Sequence, residues 1–157
     1  RAWARAQAVN YVGYDALLPW RNAVAERYMP YTHNWPALNG LRIGINRLLQ
    51  EGLPAVFQRH ADVADYCRQR LQGMGIELWP ACLAISAPTV TAAKVPAGWT
   101  WPQLNQALRA QGMVVGGNYG PLAGKVFRIG HMGSQADHAL VQQGMDLLAA
   151  LVTSESS

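Results

Sequence analysis

Hydrophobic residues follow a helical period in several stretches of the chain. A first helix is predicted from Arg1, and a second opens at Asn34-Trp35-Pro36 and ends near Gly52. Later helices are predicted from Pro54 to Gly73, from Thr100 to Gly112, and from a capping box at Ser134-Gln135-Ala136-Asp137. Their predicted apolar faces are Leu38, Leu41, Ile45, Leu48 and Leu49; Phe57, Ala61, Ala64 and Leu71; Leu104 and Leu108; and Leu140, Gly144, Leu147 and Leu151.

Short extended runs alternate with these helices in the second half of the chain. Strands are predicted at 76–79, 89–95, 113–115 and 125–130. The glycine-rich link at 116–124 lacks the spacing of a phosphate loop and leads into a strand, so a hairpin turn explains it. The predicted fold class is α+β, with a small, mostly antiparallel sheet covered by helices.

A long aromatic passage separates the first two helices. It runs from Tyr11 to Pro36 without clear periodicity and contains three prolines and several Trp and Tyr residues. Long ordered loops of this kind are often functional.

Arg128 is a charged residue inside an otherwise apolar strand. Side chains alternate along a strand, so Arg128 shares a face with Val126 and Gly130, while Phe127 and Ile129 face the core. We expect Arg128 to be at least half buried. A buried guanidinium needs an anion, either a carboxylate ligand bound bidentately or the acidic partner of a structural salt bridge, and the run alone leaves both open.

Composition narrows the functional classes. Half of the 157 residues are hydrophobic and 14% are charged, which is typical of a globular domain. Eleven of the thirteen basic residues are Arg but they form no basic run, so nucleic acid is not an expected partner.

Cys67 and Cys82 lie in apolar contexts and are predicted to be buried free thiols, with no metal site and no disulfide. No apolar stretch approaches the roughly 20 residues that span a bilayer, and we predict a cytoplasmic protein.

Several segments together resemble one known family. They are Asn39-Gly40-Leu41, Glu51-Gly52-Leu53, Pro88-Thr89-Val90-Thr91-Ala92, Gly116-Gly117, and Gly120-Pro121-Leu122-Ala123-Gly124-Lys125-Val126-Phe127-Arg128-Ile129-Gly130-His131-Met132-Gly133. This set resembles the C-terminal domain of class V, pyridoxal-phosphate-dependent aminotransferases, and the alanine/serine–glyoxylate and pyridoxamine–pyruvate branch in particular. The resemblance runs from about Arg1 to Leu151.

The resemblance implies roles for individual residues. Arg128 corresponds to the arginine that binds the carboxylate of the amino or 2-oxo acid substrate. Thr32 stands where the family has a threonine whose hydroxyl reaches the phosphate of pyridoxal 5'-phosphate in the neighbouring subunit of a homodimer, although here the motif reads Thr32-His33-Asn34-Trp35-Pro36. Further candidates are Tyr31 beside the phosphate, His131 next to the arginine strand, and Tyr119. Asn118 and Tyr119 stand where pyridoxamine–pyruvate enzymes carry a second arginine, which argues against pyridoxamine as substrate.

The resemblance also implies what the chain lacks. In the family, a lysine holds the cofactor as a Schiff base and moves the substrate α-proton. Neither Lys94 nor Lys125 lies in such a context, so no catalytic residue is expected in this chain, and a large cofactor-binding domain is the expected missing partner. Residues 1–33 are then a helix and loop entering from that domain, and residues 34–157 form the small α+β domain. The uncapped start at Arg1 and the small, polar end at 153–157 agree with the C-terminal part of a longer protein.

The implied activity is amino transfer between a small amino acid, such as alanine or serine, and a small 2-oxo acid, such as glyoxylate or pyruvate. Two alternatives remain open. One is a non-catalytic module that holds a carboxylate ligand through Arg128. The other is a different class V reaction such as desulfuration, for which the apolar context of Cys82 is unfavourable.

Overall fold

The computed structural model describes residues 1–154 and divides the chain into two compact units, Arg1–Gln50 and the part from Glu51 onward. The polar end predicted at 153–157 therefore lies mostly outside the described residues. The unit boundary falls at the end of a long helix, whereas the predicted domain boundary at 33/34 precedes that helix. The predicted division itself stays a prediction.

The first unit is helical. It contains α1 (Ala2–Val9), a 3-10 turn (Leu18–Trp20), the short α2 (Ala23–Glu26) and α3 (Trp35–Glu51). The aromatic passage predicted as a loop thus includes two short helical turns. α3 begins where the sequence predicts, because Asn34 Oδ1 accepts a hydrogen bond from the Ala37 amide at 3.1 Å. It ends before Gly52, whose φ of 84° favours glycine.

No residue of α3 is buried, although the helix carries a row of large apolar side chains. Gly40 and Gly44 have open space where a β-carbon would stand, so no backbone packs on them within the described residues.

The second unit supplies the sheet and the core. Its elements are α4 (Leu53–Gly73), β1 (Val90–Lys94), α5 (Trp101–Ala110), β2 (Val126–Gly130) and α6 (His138–Ser154). β1 and β2 pair antiparallel, with Ala92 opposite Arg128 and Ala93 opposite Phe127. The predicted strand at 76–79 reduces to a single bridge of Leu78 with Ala93. Residues 113–115 form no strand, and the next residue, Gly116, makes a single bridge with Arg128. The α+β class with an antiparallel sheet is confirmed.

The core lies between the sheet and helices α4, α5 and α6. Its buried members are Val63, Cys67, Leu71, Ile76, Ala93, Leu104, Leu108, Val115, Phe127, Ile129, Val141, Met145 and Leu148.

Two predicted helix faces are only partly correct. In α4, Ala64 and Leu71 are buried as predicted, but Phe57 is exposed, and the polar His60 and Arg68 are buried as well. In α6, Val141, Met145 and Leu148 face inward in place of Leu140 and its neighbours. Both helices carry apolar residues on more than one side, so periodicity alone does not select the buried face. The cap of α6 is Asp137, whose Oδ1 accepts the Leu140 amide at 2.9 Å, and not Ser134.

Candidate functional site

Arg128 lies in the middle of β2, but its side chain is exposed. The expectation that it is half buried is therefore wrong for the part of the chain that the structure describes. Alternation does place Phe127 and Ile129 in the core, as predicted. On the opposite face Val126 is buried, but the face is open at Arg128, because its neighbours there are Gly116, across a bridge, and Gly130, two residues along, and neither has a side chain to cover it.

The Arg128 guanidinium has no acidic partner among residues 1–154. Its Nε and Nη2 atoms both donate to the carbonyl oxygen of Gly117, at 3.2 and 2.9 Å. The ion pairs among residues 1–154 join other residues, so the structural salt bridge considered for Arg128 is absent there. An exposed cation that is oriented by a neutral carbonyl retains its charge for an external anion.

The backbone around Arg128 is fixed on both sides. Besides the ladder with β1, the Arg128 amide donates to Gly116 O at 2.7 Å and the Gly116 amide donates to Arg128 O at 3.0 Å. The strand that carries the guanidinium is thus paired along both edges at this residue, which limits its movement.

His131 follows β2 and is completely buried. Its Nε2 atom lies 2.8 Å from the hydroxyl oxygen of Thr91 on β1, while its Nδ1 atom is buried without a hydrogen-bond partner in the described residues. Burial lowers the pKa of His131, and the charges of Arg68 and His60 act in the same direction. The neutral imidazole therefore joins the end of β2 to β1.

Helix α4 holds the segment after His131. The Gly133 amide donates to His60 Nε2 at 3.0 Å, and His60 Nδ1 lies 2.7 Å from Val56 O, so Nδ1 carries the proton. Arg59 Nη1 donates to the carbonyl oxygens of Gly133 and Ala136, and Arg59 also pairs with Glu51. Sequence analysis missed this clamp because its partners are more than 70 positions apart and two of them are backbone carbonyls.

The candidate phosphate ligand lies in the first unit. Thr32 is exposed, and its hydroxyl makes no hydrogen bond within the described residues; it stands two residues before Asn34, the cap of α3. Tyr31 is half buried, because its hydroxyl donates to Gly13 O at 2.8 Å and its ring stacks on Tyr14. The Tyr31 hydroxyl is thus already engaged, whereas that of Thr32 is free to bind.

The remaining candidate, Tyr119, and the two lysines lie at the surface or in a surface ion pair. Tyr119 is 82% exposed at the start of a 3-10 turn. Lys94 pairs with Glu77 at 2.6 Å, and Lys125 is exposed just before β2.

The two cysteines differ. Cys67 is buried in the core, and burial raises the pKa of its thiol to about 11. Cys82 is exposed, so its prediction as a buried thiol is wrong; its apolar sequence neighbours Leu83 and Ile85 are exposed as well. Among residues 1–154, no three metal-ligating side chains come together, and no helix is long and apolar enough to cross a membrane.

Comparison with known proteins finds relatives over most of the chain, although no protein-family model matches it. The chain is 37% identical over 141 residues to a pyridoxamine–pyruvate transaminase of Mesorhizobium japonicum, covering 87% of this chain and 36% of that protein. It is 37% identical over 109 residues to an alanine–glyoxylate aminotransferase of Callithrix jacchus, covering 68% and 26%. The chain thus spans about a third of the length of these relatives.

Solved structures give the same result. An alanine–glyoxylate aminotransferase from Nostoc sp. superimposes with a TM-score of 0.78 at 29% identity, over 86% of this chain and 36% of that one. A pyridoxamine–pyruvate aminotransferase from Mesorhizobium loti gives 0.75 at 29% identity, over 90% and 42%.

These similarities show that the chain belongs to the class V aminotransferases, which have the fold-type I architecture of pyridoxal-phosphate enzymes. It is homologous to the C-terminal part of these enzymes. Within the class, its relatives are alanine/serine–glyoxylate and pyridoxamine–pyruvate aminotransferases.

Proposed function

We propose that this chain supplies the substrate-carboxylate site of a pyridoxal-phosphate-dependent aminotransferase that acts on small amino acids and small 2-oxo acids. The observation that carries the proposal is the exposed guanidinium of Arg128, which is held by Gly117 O and has no acidic partner among residues 1–154. A planar cation with free donors matches the one group that every amino and 2-oxo acid presents, a carboxylate.

The cofactor of such an enzyme is pyridoxal phosphate, which supplies an electron sink for the carbanion formed at the substrate α-carbon. The described residues fit its phosphate at one point, the unpaired hydroxyl of Thr32. They offer nothing that fits its aldehyde, because Lys94 is paired with Glu77 and Lys125 lies exposed before β2. This chain accordingly binds the substrate carboxylate and the cofactor phosphate. The Schiff-base lysine belongs to the large domain, outside the part of the relatives that this chain matches.

The role of Thr32 is proposed to operate across a homodimer. Its hydroxyl donates to the phosphate in the partner subunit, whereas Arg128 serves the site of its own subunit. A cytoplasmic location stays a prediction.

The test of the carboxylate role uses the full-length protein loaded with pyridoxal phosphate, with alanine and glyoxylate as probe substrates. Arg128→Gln removes the charge and the guanidinium but keeps a polar, planar end group on a shorter side chain. A charge-assisted hydrogen bond contributes about 1.5–3 kcal/mol, so kcat/KM for glyoxylate should fall by about 10- to 150-fold. Arg128→Lys should have a kcat/KM between that of Arg128→Gln and that of the unmodified protein, since an ammonium group keeps the charge but cannot bind bidentately.

The matched control is Arg109→Gln, which removes the same charge from an exposed position on α5. Its kinetics should equal those of the unmodified protein. An Arg128→Gln enzyme whose KM for glyoxylate lies within twofold of the unmodified value would reject the carboxylate role.

Mixed dimers test the arrangement across subunits. In a dimer of one Thr32→Val subunit and one Arg128→Gln subunit, the proposal leaves one site intact, since the first subunit has its own Arg128 and receives Thr32 from the second. Such hybrids should recover about half of the unmodified activity at limiting cofactor, above both parent homodimers. Activity no greater than the mean of the two parents would mean that Thr32 acts within its own subunit or not at all.

A further inference from the structure

The carbonyl of Gly117 occupies one edge of the Arg128 guanidinium. It accepts from both Nε and Nη2, at 3.2 and 2.9 Å, so this edge is not free to receive a carboxylate in the same orientation. Nη1 makes no hydrogen bond within the described residues. The free side of the guanidinium is therefore its outer end, formed by Nη1 and the second hydrogen of Nη2.

Gly117 is itself fixed by a tryptophan. A β-carbon at position 117 would lie 2.7, 2.8 and 3.0 Å from Nε1, Cε2 and Cζ2 of Trp101, so the indole rests directly on the α-carbon of Gly117. Such close approach is possible only for glycine. The adjacent Gly116 is held by its two backbone hydrogen bonds to Arg128.

Trp101 is in turn held in place by its own surroundings. Its ring stacks on Phe127 of β2, with centroids 6.2 Å apart and planes 17° apart, and Phe127 is fully buried. Trp101 also begins α5, whose start is capped by the bond from the Thr100 amide to Gln103 Oε1 at 3.0 Å. The contacts thus run without a break from the core to the guanidinium. Phe127 packs on Trp101, Trp101 packs on Gly117, and the carbonyl of Gly117 binds Arg128.

We propose that Trp101 and Gly117 are positioning residues that orient Arg128, so that the substrate carboxylate is bound end-on by Nη1 and Nη2. This inference rests on the proposed function of Arg128. An arginine side chain loses much rotamer freedom when it binds, and a support that orders it beforehand improves affinity without changing the chemistry of the reaction. Because Gly117 contributes a neutral carbonyl, the guanidinium keeps its full charge for the ligand.

The test is Gly117→Ala in the full-length, cofactor-loaded protein. The added methyl group displaces the indole or the carbonyl, so KM for glyoxylate should rise by about tenfold while kcat stays within twofold, as expected for loss of ground-state binding. The matched control is Gly73→Ala at the end of α4, where nothing lies within 4 Å of the new carbon and φ is not positive. Its KM should not change.

Second-site variants separate positioning from general damage. Trp101→Phe removes the atoms that meet the new methyl group but keeps an aromatic ring on Phe127, so Gly117→Ala combined with Trp101→Phe should return KM to within about threefold. In the Arg128→Gln background, Gly117→Ala should add nothing to KM, because no guanidinium remains to be oriented.

The outcomes are distinct from those of the proposed function. If Arg128→Gln leaves KM unchanged, the proposed function fails and this inference fails with it. If Arg128→Gln raises KM but Gly117→Ala does not, or if the Gly117→Ala effect persists in the Arg128→Gln background, only the positioning role is rejected. Should Gly117→Ala not fold, Trp101→Phe alone decides, with an expected rise in KM of about threefold; an unchanged KM rejects the role.

Discussion

The imidazole of His131 is completely buried with its Nε2 atom 2.8 Å from the hydroxyl of Thr91, which joins the segment after β2 to strand β1. The ring is neutral in this environment, since burial and the nearby charges of Arg68 and His60 lower its pKa from the usual 6.5. The connection between β1 and the end of β2, beside Arg128, thus depends on the neutral form of His131. The folded protein favours this form because it buries the imidazole.

Stability should therefore depend on pH through His131. In the unfolded chain His131 binds a proton near pH 6.5, whereas in the folded chain it does so only at lower pH. Between these values the unfolded state carries more protons, so the stabilisation is complete above pH 6.5 and is lost as the pH falls toward the folded pKa. Urea midpoints measured from pH 7.5 to 5.0 should decrease, and His131→Asn should flatten this dependence.

The control is His138→Asn, which removes an exposed histidine from the first turn of α6. Its urea midpoints should fall as steeply as those of the unmodified protein when the pH is lowered from 7.5 to 5.0. Equal slopes for His131→Asn and the unmodified protein would show that His131 does not contribute.

The clamp from α4 should govern local opening of the segment after β2. Arg59→Gln removes the donor to the carbonyl oxygens of Gly133 and Ala136. Amide hydrogen exchange over residues 131–137 should then accelerate by roughly tenfold, which corresponds to the loss of about 1.4 kcal/mol of local stability.

Glu51→Gln is the matched comparison for the clamp, because it removes the ion pair with Arg59 but leaves both carbonyl contacts possible. Exposed ion pairs contribute little, so exchange over 131–137 should change less than in Arg59→Gln. Equal acceleration in both variants would show that the ion pair with Glu51, and not the two carbonyl contacts of Arg59, stabilises this segment.

The thiols should react at very different rates. Cys82 is exposed, whereas Cys67 is buried with a thiol pKa of about 11. Iodoacetamide at pH 8 followed by peptide mapping should find Cys82 alkylated in the folded protein and Cys67 alkylated only after denaturation. Rapid alkylation of Cys67 in the native protein would show that the core around α4 opens readily.

Neither lysine of this chain should carry the cofactor. Lys94 is engaged with Glu77, and Lys125 lies exposed before β2. Borohydride reduction of the holoenzyme should therefore yield pyridoxyl peptides from outside residues 1–157. A stoichiometric adduct on Lys94 or Lys125 would overturn the assignment of this chain to binding alone. Consistent with this, the 157-residue chain should add nothing to the spectral change that pyridoxal phosphate and alanine give without protein.

The sequence was most informative where local signals and core packing agree. The start of α3 at Asn34-Trp35-Pro36, its end before Gly52, and the inward positions of Phe127 and Ile129 were all predicted from propensity and alternation. The exposure of Arg128 was not, since the sequence predicted it to be at least half buried. Alternation predicts which face a side chain occupies, but whether that face is covered depends on other elements, and here glycines flank it.

Contacts between distant parts of the chain account for the rest. The bond from Gly133 to His60 and the packing of Trp101 on Gly117 join residues that are 73 and 16 positions apart, and each involves a backbone group with no sequence signature. The sequence around His60 gives no sign of its burial, because its neighbours Arg59 and Asp62 are polar. The structure buries the imidazole between α4 and the segment after β2, where its partner is an amide.

The open face of α3 has a consequence for the fate of the chain in a cell. Leu38, Leu41, Ile43, Ile45, Leu48 and Leu49 are each more than two-fifths exposed. Exposed aliphatic side chains in this number are the feature that holdase chaperones and quality-control proteases recognise. Copies in which α3 stays uncovered should therefore be degraded faster than copies in which it is covered, so that the abundance of the protein reports on its assembly.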